Sequence, residues 1–183
     1  KIFKHSQKVV GSQVAVEILV DGSASMKTDL KLACEVALSF GEALQRLTKA
    51  TSAISIFSGG YGVSQVLKEH GEPVQKGTSK LSTVFASGGT PTGHAMMQRM
   101  KLLEAQKQER KLMIVITDGA ASNPAIAVAA THLLEERGIE VIGIGLGREG
   151  VKIQQYIPNS VCVNELGQLQ FALKKVMQTR EMS

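Results

Sequence analysis

The apolar run over residues 14–20, interrupted only by Glu17, constrains the fold of this chain more than any other segment. It is much shorter than the roughly 20 apolar residues that span a bilayer. It ends in consecutive apolar residues, so a strand formed here would be buried on both faces. Such strands lie at the centre of parallel sheets with helices on both sides. Residues 13–20 therefore predict the first, central strand of an α/β sheet.

Hydrophobic periodicity predicts the remaining elements. Pro124 and Gly138 stand where a helix typically begins and ends. The other predicted strands cover residues 53–57, 63–67, 111–117, 139–144 and 161–163. The predicted helices cover residues 29–47, 92–106, 124–137 and 166–178. Residues 70–89 are predicted as a polar surface loop with a short helix near residues 80–85.

The turn at residues 58–61 determines how the second and third strands pair. It is too short for a parallel crossover, which takes about a dozen residues, so these strands are predicted to be antiparallel, with the third at an edge. Strands alternate with helices elsewhere, which favours a doubly wound fold. We predict a Rossmann-like α/β fold: a mostly parallel six-stranded sheet of order 3-2-1-4-5-6, an antiparallel edge strand, and helices on both faces.

Oxygen-bearing side chains follow two strands that this order makes neighbours. Asp21 ends the first strand and Asp118 follows the fourth, at the edge where such sheets bind ligands. Two adjacent carboxylates repel each other unless a cation binds. Ser23 and Ser25 alternate in an extended stretch and point the same way, and Thr90 lies in a glycine-rich loop. These hard oxygen donors predict a Mg²⁺ site, with Mn²⁺ or Ca²⁺ as alternatives, that keeps open coordination positions.

The same residues resemble the metal-ion-dependent adhesion site of von Willebrand factor A (VWA) domains. The matching motifs are Asp21-x-Ser23-x-Ser25, Thr90 in a Gly-Gly-Thr loop, and Asp118 in Thr-Asp-Gly. The resemblance covers essentially the whole chain and implies the VWA fold. It implies that Ser23, Ser25 and Thr90 contact a divalent cation directly, while Asp21 and Asp118 act directly or through water. A carboxylate from a partner protein would complete the coordination shell.

A finer resemblance is to intracellular VWA proteins that work with AAA+ ATPases. "GGTPTGHAM" and the tail "VIGIGLGREGVKIQQYIPNSVCVNELGQLQFALKKV" are similar to the C-terminal VWA domain of the cobaltochelatase T subunit, and the magnesium chelatase D subunit shares the general plan. In a departure, "DGAAS" lacks an acidic residue often found after the aspartate-glycine pair. The resemblance implies a protein-interaction module that is not an enzyme by itself and binds an AAA+ ATPase subunit or its client. The alternatives are part of a chelatase that inserts cobalt or magnesium into a tetrapyrrole, and an extracellular adhesion domain.

Other interpretations of the site residues remain. Serine and aspartate after a strand often cap the next helix, which would explain each segment alone but not all three together. Ser23 as a nucleophile lacks the flanking glycines of a nucleophile elbow, because Asp21 and Ser25 stand in those positions.

Three further features have less specific interpretations. Gly145-x-Gly147-x-x-Gly150 matches a dinucleotide fingerprint, but the fingerprint belongs to the first strand-helix turn, so a simple turn is predicted. His94 is predicted as a helix-surface histidine. The methionines within residues 96–100 are predicted to pack in the core or in a groove.

Composition and the first residues argue against nucleic-acid binding and against secretion. With a net charge of +5, 4% aromatic residues and no stacking pattern, nucleic acid is a poor candidate partner. Residues 1–4 lack the apolar core of a secretory leader. Cys34 and Cys162 are predicted as buried thiols, with a disulfide disfavoured. We predict a cytoplasmic protein without a membrane span, with one domain over residues 1–183; the initial Lys1 leaves open that it was excised from a longer chain.

Overall fold

The computed structural model describes residues 13–47 and 49–178. The strands are β1 (Val14–Asp21), β2 (Thr51–Ser58), β3 (Gly62–Lys68), β4 (Arg110–Thr117), β5 (Ile139–Leu146) and β6 (Ser160–Val163). The α-helices are α1 (Leu30–Leu47), α2 (Val74–Lys80), α3 (Thr92–Glu104), α4 (Pro124–Glu136) and α5 (Leu169–Gln178). Short 3-10 segments cover Ala24–Thr28, Leu81–Thr83, Glu149–Gln155 and Leu166–Gln168. The predictions about a leader at residues 1–4 and about the outer limits of the domain concern residues outside the described ranges.

The predicted sheet is confirmed. Across the described residues, six strands form one sheet of order β3-β2-β1-β4-β5-β6. β1 pairs in parallel with β2 and β4. Only β3, at one edge of the sheet, pairs antiparallel, and its partner is β2. Among the described helices, none is long and apolar enough to cross a membrane.

The core lies on both faces of the sheet, as the first apolar run predicts. β1 is buried along its whole length. Ile18 and Val20 belong to the core that includes residues of α1 and α5. Ala15 and Leu19 belong to the core on the other face, with residues of α3 and α4. This two-sided burial leaves the strand ends, rather than the sheet faces, available for a binding site.

The prediction of a surface loop over residues 70–89 with a short helix near residues 80–85 was wrong at α2, which forms earlier, over Val74–Lys80. The helix sequence VQKGTSK is polar and has Gly77 at its centre, which weakens its intrinsic helix preference. Tertiary packing outweighs this preference: Val74 joins the core, and Gly77 lies so close to Leu38 of α1 that a Cβ would collide with that side chain. Lys80 Nζ also donates a hydrogen bond to Val66 O of β3 at 2.8 Å. The helix therefore depends on contacts that its own sequence does not encode.

Two smaller differences concern helix ends. The short helix predicted near residues 80–85 is the 3-10 turn Leu81–Thr83. The last helix begins at Leu169 instead of residue 166, because the preceding residues form a separate 3-10 turn in which Asn164 N donates to Gln168 Oε1 at 3.0 Å.

Glu17, the charged residue within the first apolar run, is fully buried and paired. Its Oε1 lies 2.7 Å from Nε of Arg99 in α3, and its Oε2 lies 3.3 Å from Nε2 of His70. Arg99 Nη2 also reaches Glu69 Oε2, just after β3, at 2.5 Å. The hydrogen bond from Arg99 lowers the pKa of Glu69. This ion network connects β1, α3 and the end of β3.

The two cysteines differ in burial. Cys34 is buried as predicted, and burial raises the pKa of its thiol to about 12. Cys162 is exposed, so the prediction of a second buried thiol was wrong. It lies on the four-residue edge strand β6, where the neighbouring Val163 fills the core position instead. Both cysteines are free.

The substitution Arg99→Ala would leave Glu17 buried without its cation. Removing one partner of a buried ion pair costs about 3–5 kcal/mol, so we expect a loss of that size in the free energy of unfolding, measured by urea denaturation. The control is Arg137→Ala, because the pair of Arg137 with Glu104 is exposed and should contribute about 0–1 kcal/mol. Equal losses in the two variants would contradict the stabilising role of the network.

Candidate metal centre

Two aspartates meet at the carboxyl edge of the sheet. Asp21 is the last residue of β1, and Asp118 directly follows the last residue of β4. These strands are neighbours, with Val20 opposite Ile116. Both carboxylates therefore emerge at the edge where an open α/β sheet binds ligands.

Asp21 is fully buried and held by two hydrogen bonds. Ser23 N donates to Oδ1 at 2.8 Å, and Thr117 Oγ1 donates to Oδ2 at 2.5 Å. Burial raises the pKa of Asp21, and although these hydrogen bonds oppose the shift, the charge of Asp118 adds to it. Asp21 is thus a carboxylate whose ionised form a cation would stabilise.

Ser23 and Ser25 bridge the two aspartates. Their hydroxyl oxygens lie 3.1 Å apart and share a hydrogen bond. Ser25 Oγ also donates to Asp118 Oδ1 at 2.9 Å. A series of hydrogen bonds therefore runs from Asp21 through both serines to Asp118.

Thr90 lies on a loop that is hydrogen bonded to both aspartate segments. Its N donates to Ser122 Oγ at 2.8 Å, and Ser122 N donates back to Thr90 O at 2.9 Å. On the other side, Ala24 N donates to Gly88 O at 3.1 Å. The fold thus brings all three predicted segments together, and the Thr90 hydroxyl remains a predicted ligand.

Helix capping does not explain these residues. Ser23 precedes a 3-10 segment, but its side chain makes no capping hydrogen bond. Pro91, not Thr90, occupies the cap position of α3. The cap of α4 is Asn123, several residues beyond Asp118. The hydroxyls and the Asp118 carboxylate are therefore free of the capping role that was their main alternative.

The donor set fits a hard divalent cation. It consists of two carboxylates and three hydroxyls, which are ligands that suit Mg²⁺, Mn²⁺ or Ca²⁺. In the part of the chain that the structure describes, no three His, Cys, Asp or Glu side chains form a group that could hold a metal. A cation at this site would thus depend on hydroxyl ligands and leave room for an oxygen from outside the chain.

The model of the von Willebrand factor type A domain matches residues 16–174. The chain belongs to the VWA family. VWA domains are in general non-catalytic modules that mediate protein–protein interaction.

Solved structures with the VWA fold resemble this chain over 91–93% of its length. BatB from Bacteroides thetaiotaomicron, a conserved hypothetical protein, has a TM-score of 0.73 at 20% identity and covers 93% of this chain and 100% of its own. The vWF domain of the type V pili tip protein Mfa5 from Porphyromonas gingivalis has a TM-score of 0.72 at 11% identity, covering 93% and 96%. Proximal thread matrix protein 1 from the mussel byssus has a TM-score of 0.68 at 20% identity; it covers 91% of this chain, which spans 47% of the mussel protein. The comparison with curated proteins found no match.

Three residues that hold the segments of the candidate metal centre were not assigned this role from the sequence. Thr117 belongs to the Thr-Asp-Gly motif, but its bond to Asp21 follows only from the pairing of β1 with β4. Ser122 holds the Thr90 loop and lies in "DGAAS", the segment that departs from the family pattern. Tyr156 OH donates to Gly119 O at 3.1 Å from a segment with no predicted structure. A single sequence carries no signal for this last contact.

The glycine motif of β5 supports packing. Gly145 and Gly150 lie backbone against backbone, so that a Cβ on either would collide with the other. The 3-10 segment Glu149–Gln155 consequently rests on the end of β5. This contact accounts for the glycines and supports the interpretation as a turn.

Helix α3 carries His94 at its surface and its methionines towards the core, as predicted. His94 is exposed in its first turn. Met96 and Met100 are buried in the core, and Met97 is partly buried against it. The methionines therefore pack in the core, as predicted.

The raised pKa of Asp21 predicts an unusual effect of Asp21→Asn in the metal-free protein. At neutral pH the variant should be the more stable protein, because the wild type must bury an ionised carboxylate. As the pH falls through the raised folded-state pKa, the wild-type carboxylate gains a proton, and the difference should vanish below the unfolded pKa of about 3.9. Urea unfolding in a chelator over this pH range measures the difference. A less stable variant at neutral pH would contradict the burial penalty, and Asp29→Asn, at the remaining aspartate of the chain, is the control.

Proposed function

We propose that this VWA domain is a metal-dependent protein-interaction module whose adhesion site binds a carboxylate of a partner protein through a divalent cation. The observation that carries the proposal is the series of hydrogen bonds joining Asp21, Ser23, Ser25 and Asp118 at the carboxyl edge. It supports the predicted ligand set because the side chains of residues 21–25 and Asp118 meet there without capping a helix, and main-chain bonds hold the Thr90 loop beside them.

The residues would divide their roles according to burial. The hydroxyls of Ser23, Ser25 and Thr90 would contact Mg²⁺ directly, with Asp21 and Asp118 acting directly or through water. When bound, the cation supplies a positive charge that attracts an anionic oxygen. Asp21 would stabilise the bound cation strongly, because its burial removes competing water from the carboxylate.

The partner would supply an aspartate or glutamate. Hydroxyl ligands carry no charge, so the cation keeps part of its charge for an external carboxylate. The net charge of +5 also favours an acidic partner. Such binding would recognise the partner without any chemical change to it.

The class of partner is proposed from the sequence. The similarity of "GGTPTGHAM" and the C-terminal tail to VWA domains that work with AAA+ ATPases supports an ATPase subunit, or its client, as the partner. The same similarity supports the alternative of a chelatase part that helps to insert metal into a tetrapyrrole. An extracellular adhesion role is weaker: Mfa5 is a pili tip protein, but at 11% identity the likeness concerns the fold alone. The free Cys34 and Cys162 are compatible with the predicted cytoplasmic location, which stays a prediction.

Metal binding should appear as a gain in stability. Mg²⁺ at about 100 times its dissociation constant would raise the free energy of unfolding of the wild type by about 2.7 kcal/mol. Asp21→Ala and Asp118→Ala should abolish the gain, whereas Asp29→Asn should retain it. Urea denaturation and calorimetric titration with Mg²⁺ and Mn²⁺ provide the measurements. Equal metal responses in the wild type and Asp21→Ala would refute the site.

Partner binding should depend on the same cation. In affinity purification of the full-length protein, an AAA+ ATPase should be retained with Mg²⁺ and lost with a chelator or with Asp118→Ala. Retention of the ATPase in the chelator would contradict metal-mediated binding. Co-purification of other chelatase subunits, with tetrapyrrole binding, would favour the alternative function.

A further inference from the structure

Tyr156 is buried next to the predicted metal-binding segments. It is 1% exposed, and its hydroxyl donates to Gly119 O, next to Asp118. The hydroxyls of Thr92 and Thr117 also face the phenol, and the charge of Asp21 acts on it. One side chain therefore contacts or faces the start of α3, the end of β4 and the end of β1.

The segment between β5 and β6 and helix α4 hold the main chain of Tyr156 in place. Close packing of Gly145 against Gly150 seats the 3-10 segment on β5, and Tyr156 follows that segment directly. Thr131 Oγ1 of α4 donates to Tyr156 O at 2.8 Å, and Tyr156 N donates to Ile153 O at 3.1 Å. More than one contact thus anchors the main chain of Tyr156, and none of them involves a predicted metal ligand.

The phenol remains a hydrogen-bond donor. Burial raises the pKa of Tyr156, and the negative charge of Asp21 raises it further. The hydroxyl therefore stays protonated and can keep its bond to Gly119 O.

Gly119, which accepts this bond, follows Asp118 directly and has little packing around it. A Cβ there would meet no atom within 4 Å, so the surroundings do not restrict its backbone by packing. Glycine also restricts the backbone dihedral angles less than any other residue type. The bonds of Gly119 to Tyr156 and to Thr117 Oγ1 hold the turn that carries Asp118.

We propose that Tyr156 is a positioning residue of the metal site, whose hydroxyl fixes Gly119 and thereby holds the Asp118 carboxylate in its place beside Ser25. The inference rests on the proposed function, since it concerns the same cation. It adds that the segment between β5 and β6 contributes to metal affinity without supplying a ligand. Outer-shell groups that orient ligands commonly influence affinity in this way.

The test compares the two tyrosines of the chain. Tyr156→Phe keeps the ring and removes the hydroxyl, and Tyr61→Phe makes the same change at an exposed side chain. Calorimetric titration with Mg²⁺ and Mn²⁺ should show about three- to tenfold weaker binding for Tyr156→Phe, the range expected for one lost hydrogen bond, and no change for Tyr61→Phe. Thr131→Val, which removes the bond to the Tyr156 main chain, should lower stability and leave metal affinity within about twofold of the wild type.

Tyrosine emission gives a readout that does not depend on the stability of Tyr156→Phe. The chain has no tryptophan, so in Tyr61→Phe the only tyrosine emitter is Tyr156. Because the charge of Asp21 acts on the phenol, a cation bound at Asp21 should change this emission, and the change should saturate with the calorimetric titration. An emission that does not respond while the metal binds would overturn the inference.

The outcomes separate the two proposals. Absence of Mg²⁺ and Mn²⁺ binding by the wild type would overturn the metal site itself. Metal binding that is equally tight in the wild type and Tyr156→Phe would overturn only the role of Tyr156. Loss of affinity in Thr131→Val as large as in Tyr156→Phe would assign the effect to general loosening of the segment and also overturn it.

Discussion

The burial of a carboxylate at the end of the central strand is the constraint on which the site depends. Because β1 is covered on both faces, Asp21 leaves the strand inside the protein instead of in solvent. Ionised groups are costly to bury without a partner, and the hydrogen bonds from Thr117 and Ser23 offset only part of that cost. A cation shared with Asp118 would offset much of the rest. The position of Asp21 thus supports the proposal of a ligand at this edge and explains why that ligand would be positive.

Sequence patterns predicted those parts of the fold that depend on local periodicity and strand order. Two-sided burial of residues 14–20 identified the central strand, and the short turn at residues 58–61 identified the antiparallel edge. The proximity of Asp21 to Asp118 followed from topology alone. The patterns failed where distant packing overrides local preference: Gly77 in α2 is a poor helix residue that fits against Leu38. The contact between Tyr156 and Gly119 depends on a turn whose path has no sequence signature.

Two types of support surround the site and act differently. Thr117 and Tyr156 belong to well-packed elements and approach the site from inside the sheet. The Thr90 loop is held at the surface by main-chain bonds and by Ser122. Buried side chains of the first type hold the segments of the two aspartates, whereas main-chain bonds hold the Thr90 loop beside them. The predicted site would therefore combine ligands fixed by buried contacts with a ligand on a surface loop.

The ion network of Glu17, Arg99 and Glu69 has a dynamic consequence. Arg99 cannot leave the core with α3 without exposing two carboxylates to each other and leaving Glu17 in an apolar environment. Separate fraying of α3 or of the β3 edge is therefore costly, and the two should open as one cooperative unit. Amide hydrogens in both segments would then exchange with solvent at similar free energies, although 30 residues separate Glu69 from Arg99 along the chain.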